Sequence, residues 1–388
     1  MIERGPQRPG GNAAAPVVSR SLAALVSLVV LVLLAAGCGL SSPSEAGSDG
    51  PEGGGCAGTP APVLAEVDAL DDPRSWDGPA SPVLGSCDVR PVAGGARPQL
   101  PVTLSDAQGT RVTINDTSRI LALDVYGTLA RTVFELGLGD SVVGRDISTQ
   151  FPDAADLPLV TQNGHDLAAE AILDLDPTVI LTDTSLGPWD VILQMRDAGI
   201  PVVVTDSERS LDNVDDLTRQ VAAALGVPQA GRALVERTTA ELAQVQQQIS
   251  DVAPSDVQDQ LRTVFLYVRG QSGVYYMFGE GSGADSLIDA LGAYDVAEEI
   301  GWSGMKPVTD EGIVAAQPDL VLMMTGGLDS VGGVDGLLER LPALAQTPAG
   351  EHRRFVDMAD SEILGFGPDS ASVLNALAVA LYAPGALS

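Results

Sequence analysis

The sequence has few of the residues that build metal clusters and little positive charge. It holds two histidines and three cysteines in 388 residues, which argues against Cys/His zinc sites and iron–sulfur centres. Lysine and arginine number 21 against 52 aspartates and glutamates, a formal net charge of −31. Phosphate binding needs the opposite sign, so nucleic acid is excluded as a partner, and anionic lipid headgroups repel the folded part. With 45% hydrophobic and 19% charged residues the balance is globular, not disordered. At this length there is room for about two compact domains.

One long apolar run is present. Leu22 to Ala36 follows Arg4, Arg8 and Arg20, a positive start before a stretch too short for a comfortable membrane span. Residues 1–37 read as a secretion signal; the alternative is an uncleaved anchor helix, and in both cases the folded part lies outside the cytoplasm. The run ends in Leu34-Ala35-Ala36-Gly37-Cys38, which resembles the bacterial lipobox, with Ala35 where Leu is commoner. That resemblance implies lipid on Cys38 and attachment to the cell membrane through this lipid alone. Residues 38–100 are rich in Gly, Pro, Ser and Ala and read as a tether and N-terminal extension. With Cys38 lipidated, Cys56 and Cys87 are the possible intramolecular pair. A disulfide between them is expected, a staple of roughly 3–4 kcal/mol; the rival is two free thiols in a floppy linker.

From Pro101 the pattern changes. A hairpin from Val102 to Ile114 brackets an Asp/Gly turn. Apolar runs then alternate with helical patterns: strands at Ile120–Leu123, Ser141–Gly144, Val179–Leu181 and Val202–Thr205, and helices near Thr128–Leu138 and Leu167–Leu175. The same alternation returns in Thr263–Val268 and Leu320–Met324, which predicts α/β lobes with buried, largely parallel sheets. Between them a helix-forming stretch opens on Pro228 and runs to Asp251, roughly 36 Å of helix and enough to bridge two lobes. The boundaries are an N-terminal lobe at 101–227, a linking helix at 228–253 and a C-terminal lobe at 254–388. An internal echo supports two lobes: Glu170 to Leu181 aligns without a gap on Glu311 to Leu322, each copy reading acid, amphipathic helix, proline, buried strand.

The lipobox, the two Rossmann-like α/β lobes joined by one long helix and the repeated Glu-helix-Pro-strand unit together resemble the substrate-binding lipoproteins of ABC importers for iron complexes, haem and cobalamin, the class III periplasmic-binding-protein family. The resemblance covers roughly residues 100–388. It implies a ligand cleft between the lobes, no enzymatic turnover, and one glutamate per lobe docking on arginines of the permease. Glu170 and Glu311 match those positions. Taken singly, each is also a solvated glutamate favoured at a helix N-terminus.

The cleft residues indicate the cargo. His165 lies in a loop five residues before Glu170, and Tyr267 and Arg269 stand at i and i+2 near a strand end, hence on one face. Phenolate is a hard ligand that favours ferric iron, imidazole completes an axial pair, and a neighbouring guanidinium favours the ionised phenol. The His loop, the Tyr-x-Arg strand and the run Gly270–Asp285 look like haem-binding lipoproteins of actinobacterial haem importers. That likeness implies haem b as the transported ligand, iron between His165 and Tyr267 with Arg269 keeping the phenol oxygen aimed at it, an ABC permease and ATPase as partners, and cell-surface proteins as haem donors. Met305, Met324 and Tyr382 are further candidates for apolar or stacking walls. The plainer readings are a surface histidine, a packed strand tyrosine and gap-filling methionines. Tyr275 and Tyr276 read as packing and His352 as exposed. A ferric siderophore or a corrinoid is the alternative cargo.

One motif points elsewhere. Gly279-Glu280-Gly281-Ser282-Gly283-Ala284 satisfies G-x-G-x-x-G/A before a helix, with Glu298 and Glu299 downstream. It gives the alternative of a secreted dinucleotide-dependent enzyme. Against it stand the export signal, a position inside the second lobe and the lack of an acid/base pair.

Overall fold

The computed structural model describes residues 58–92 and 96–387. The signal segment, Cys38 and Cys56 lie outside the described residues, and among the described residues no helix is long and apolar enough to cross a membrane.

Strands β1 (Val102–Ser105) and β2 (Arg111–Ile114) form the expected antiparallel hairpin, Val102 opposite Ile114. Asp106 closes the turn: its Oδ1 accepts hydrogen bonds from the Gln108 and Thr110 amides, and Gly109 takes the positive φ that the turn needs. The N-terminal lobe follows as β3 (Ile120–Leu123), α1 (Thr128–Val133), β4 (Thr161–Gln162), β5 (Asp166–Leu167), α2 (Ala169–Asp174), β6 (Val179–Thr182), α3 (Trp189–Asp197), β7 (Val202–Val204) and α4 (Val214–Ala224). Its sheet is parallel in the order β3-β6-β7. Every residue of these three strands is buried, which is why they read as unbroken apolar runs. Two expectations change here. Ser141–Gly144 contributes only a single bridge, Val142 beside Ile120. The helix expected from Leu167 begins at Ala169, because Asp166 and Leu167 pair with Gln162 and Thr161 in a short hairpin. His165 sits in the turn of that hairpin, after Asn163 and Gly164 at φ 48° and 89°.

Helix α5 (Pro228–Val252) carries proline in its first turn and divides its apolar face between two cores. Ala230 and Leu234 enter the core of the N-terminal lobe. Leu242, Val245, Ile249 and Val252 belong to that of the C-terminal lobe. At Gly231 a Cβ would stand 2.4 Å from the Ala222 methyl, so glycine sets the close approach of α4 and α5.

The C-terminal lobe contains β8 (Arg262–Arg269), β9 (Val274–Phe278), α6 (Ala284–Ala290), β10 (Tyr294–Asp295), α7 (Val296–Glu299), β11 (Met305–Pro307), α8 (Asp310–Ala316), β12 (Leu320–Met324), α9 (Thr325–Asp329), α10 (Gly333–Arg340), α11 (Pro348–Glu351), β13 (Phe355–Met358) and α12 (Ser370–Tyr382). Its sheet is mixed. β8, β12 and β13 run parallel, β9 and β11 add an antiparallel edge, and β10 pairs beside β8.

The described part of the N-terminal extension is packed, not loose. Leu64 and Leu84 are buried in the C-terminal core, and the Leu64 amide and Pro62 carbonyl are bound by the side chain of Asn375. Ala80 adds to the edge of β13 through hydrogen bonds with Phe355 and Asp357. The segment then crosses to the other lobe, where Arg131 donates to the carbonyls of Cys87 and Asp88 and Arg90 pairs with Glu241 on α5. A Gly/Pro-rich composition removes regular secondary structure without preventing a chain from burying its few apolar side chains.

Candidate functional site

Ligands of open α/β sheets sit outside the carboxyl ends of the strands, and here those ends face each other. Thr128, after β3, donates to the carbonyl of Gly365, beyond β13. The Leu211 amide, beyond β7, donates to Ser286 on α6. Tyr126, also after β3, packs against the C-terminal core.

On the N-terminal side, Asp124 and Asp183 directly follow β3 and β6 and are fully buried. Arg209 reaches both, at 3.5 and 2.8 Å, and its guanidinium lies 5.4 Å from the Tyr126 ring centre. Burial pushes the Asp124 carboxyl up to about 7, with Arg209 opposing and Asp183 and Asp146 adding to the rise. The arrangement is a buried charge cluster that fixes the strand ends.

On the C-terminal side, the ends of β8, β12 and β13 bring Tyr267, Arg269, Met324 and Asp360 together. The Arg269 guanidinium lies 4.5 Å over the Tyr267 ring and pairs with Asp360 at 2.7 Å. It also donates to its neighbour's carbonyl, Val268 O, and touches the sulfur of Met324 at 3.8 Å. Arg269 therefore stacks on the tyrosine ring and makes its hydrogen bonds elsewhere. The Tyr267 hydroxyl has no hydrogen-bond partner among the described residues and is not among the buried polar atoms, so it is open to solvent. Sheet register puts Tyr276 directly opposite Tyr267, and Met305 opposite Phe278, on the same face. Phe278 stacks on Tyr267 with ring centres 6.1 Å apart.

His165, in the other lobe, lies within electrostatic reach of this group. Its imidazole is exposed, yet surrounding protein and then the positive charge of Arg269 hold its pKa below the ordinary value, while Asp360 and Asp166 oppose them. Two of the three charges acting on it thus belong to the opposite lobe. The downward shift favours the uncharged imidazole, the form able to donate a lone pair.

A small, partly open pocket of about 40 Å³ lies nearby, lined from both lobes and the extension by Cys87, Thr128, Arg131, Phe151, Glu362 and Asp369 among others. It has room for water and not for a large ligand. Glu362 is buried with Oε2 unpartnered. Burial foremost, with Asp369 adding and Arg131 opposing, pushes its carboxyl up to about 8.

The remaining sequence candidates separate clearly. Met305 is exposed and Met324 buried beside Arg269. Tyr382 is not a cleft wall: it is buried in the core of α12, where its hydroxyl donates to the Leu291 carbonyl at 2.6 Å. Glu170 and Glu311 are both exposed, each the second residue of its helix, α2 and α8. Cys87 is buried and disulfide-bonded; Cys56 lies outside the described residues. The glycine-rich motif serves packing. A Cβ at Gly279 would stand 2.0 Å from the Trp302 carbonyl and one at Gly283 2.2 Å from that of Arg209, and the Gly281 amide is taken by Asp285. The motif leads out of β9, an antiparallel strand held between β11 and β8, and Glu299 is spent on Arg262. No dinucleotide phosphate is served by that loop. Sequence reasoning missed Asp360, Glu362 and the Arg209 cluster, and it favoured packing for Tyr275 and Tyr276 while allowing that one of them lines the cleft.

Two α/β lobes on one connecting helix, with polar and aromatic groups converging between their strand ends, define a bilobal ligand-binding protein of the class III type. The chain belongs to the periplasmic binding protein family, whose model matches residues 125–362. It is similar to the solved haem-binding protein HmuT, at 41% identity over 80% of this chain and 99% of that one, with a TM-score of 0.75. Solved variants of that protein replace a histidine, a tyrosine or an arginine by alanine, the last two being two positions apart. The periplasmic haem-binding protein RhuT from Roseiflexus sp. RS-1 is 36% identical over 70% of this chain and all of its own, with a TM-score of 0.63. An uncharacterized ABC transporter substrate-binding lipoprotein of Bacillus subtilis, YvrC, is 25% identical over 73% of this chain and 86% of its own length.

Proposed function

We propose that this protein captures haem between its lobes and delivers it to an ABC permease, without catalysing a reaction. The observation that carries this reading is the grouping of Tyr267, Arg269 and Asp360 at the strand ends of one lobe, with the charges of Arg269 and Asp360 felt by His165 of the other. The donor set suits ferric iron: an uncharged imidazole from one lobe and, from the other, a phenol whose ionised form is favoured by the adjacent guanidinium. Phe278, Tyr276 and Met305 supply an apolar and aromatic face for a porphyrin. Lipid on Cys38 anchors the receptor, with Cys56 as the partner of Cys87.

Glu170 and Glu311 dock on the permease. The two helices support this as a matched pair. Asp176 and Gln317, each just before the proline, take positive φ of 44° and 42°, and three residues after each glutamate an aliphatic side chain is left exposed, Leu173 and Val314. Each lobe thus presents a carboxylate and an apolar side chain on one helix face, the pattern expected for a partner with two equivalent basic sites.

Haemin titration of the purified protein tests the cargo. A Soret band is expected to form and to weaken at least tenfold in affinity in Tyr267→Ala, with a smaller loss in His165→Ala. A protein that leaves the haemin spectrum unchanged removes the reading.

A further inference from the structure

We propose that Asp360 is a positioning residue of the ligand site: it holds Arg269 over the Tyr267 ring and reaches the phenol through that arginine. The inference rests on the haem reading above.

Three observations lead to it. The pair is short, 2.7 Å from Arg269 Nη2 to Asp360 Oδ2, and the other oxygen, Oδ1, accepts from the Gly326 amide at 2.8 Å, so the carboxylate is fixed from two sides. Its side chains are 31% and 37% exposed, and a pair that open to water contributes little to stability. What it does fix is direction. An unpaired arginine side chain retains rotamer freedom on the scale of its whole entropy, whereas this one is placed over a ring.

The third observation is that the surroundings are shaped for the pair. A Cβ at Gly326 would lie 3.0–3.3 Å from the Asp360 carboxylate, and one at Gly327 would lie 2.8 Å from the Val268 carbonyl and 3.4 Å from Arg269 Nη1. Two consecutive glycines at the start of α9 leave the space that the ion pair occupies. Guanidinium over the ring face favours electron density on the phenol, so its position affects the bond that the phenol oxygen makes to iron.

The experiment compares Asp360→Asn, Gly326→Ala, Arg269→Ala and the double variant Asp360→Asn with Arg269→Ala. The readouts are the haemin dissociation rate, the phenolate-to-iron charge-transfer band and the melting temperature of the ligand-free protein. Asp360→Asn keeps the acceptor for Gly326 and removes the charge. It is expected to speed haemin release about tenfold, the scale of one charge-assisted hydrogen bond, and to shift the band toward its position in Arg269→Ala. Gly326→Ala is expected to do the same with both charged residues intact. The double variant should match Arg269→Ala alone, because the aspartate has nothing left to place. Wild-type release and spectrum in Asp360→Asn, or effects that multiply in the double variant, overturn the proposal. A wild-type protein that binds no haemin overturns the haem reading and this one with it. Wild-type binding with an inert Asp360 overturns this one alone.

Discussion

Glu362 is a residue held against its solution chemistry. Its folded-state pKa, up to about 8, exceeds the value near 4.3 of a free carboxyl, so the folded chain binds this proton more tightly than the unfolded one. The group's contribution is complete below about pH 4 and is lost as pH rises through about 8. Glu362→Gln should therefore match the parent near pH 5 and be the more stable by a few kcal/mol near pH 9, measured by thermal melts across that range. A difference that does not change with pH would show that the carboxyl is already ionised. At this scale the sequence was legible where strand period and residue chemistry combine, as at Tyr267 and Arg269. It was silent where an acid is one of 52: neither Asp360 nor Glu362 belongs to a motif, and only the meeting of three strand ends gives them a role. Tyr382 could have been read better, since Ser370–Tyr382 is apolar all round and such a helix is buried.

Among elements, the repeated unit was the clearest signal. α2 with β6 and α8 with β12 share length pattern, burial and the unusual backbone at Asp176 and Gln317. The glycine-rich loop shows the opposite case, a phosphate-loop pattern produced by close packing. Its glycines serve neighbouring backbone: Gly283 has φ +88° and the Arg209 carbonyl where a Cβ would be. Gly283→Ala is expected to cost about 2 kcal/mol or more and to loosen the seam between the lobes, read as a lower denaturation midpoint. Gly281→Ala, strained at φ +76° but with nothing within 4 Å, should cost less. Equal losses would mean that backbone conformation alone, and not the Arg209 contact, selects glycine. The extension was misjudged because composition reports lack of helix and strand, whereas Leu64, Ala80 and Leu84 are tied down by long-range contacts that no local pattern encodes.

For the molecule as a whole, the lobes are coupled by α5, by the extension and by the contacts of Thr128 and Leu211, so large opening motions are opposed at several points. The proposed docking contacts lie apart from these, on the exposed Glu170 of α2 and Glu311 of α8. Charge reversal in Glu170→Arg together with Glu311→Arg is expected to abolish haem transfer to the reconstituted permease while leaving haemin affinity within about twofold. Leu173→Asp with Val314→Asp should weaken transfer without reversing the glutamate charge. Loss of haemin affinity in either double variant would place these helices in the ligand site instead.

The extension has a consequence for how the chain matures. Leu64 is held by Asn375, Leu70 by the Tyr382 carbonyl and Ala80 by β13, so segments near the beginning of the chain find their seats only on its final strand and helix. Contacts of such sequence separation form late and slowly. On the proposed export route the stretch from Leu64 to Ala80 stays unseated until β13 and α12 have followed it across the membrane.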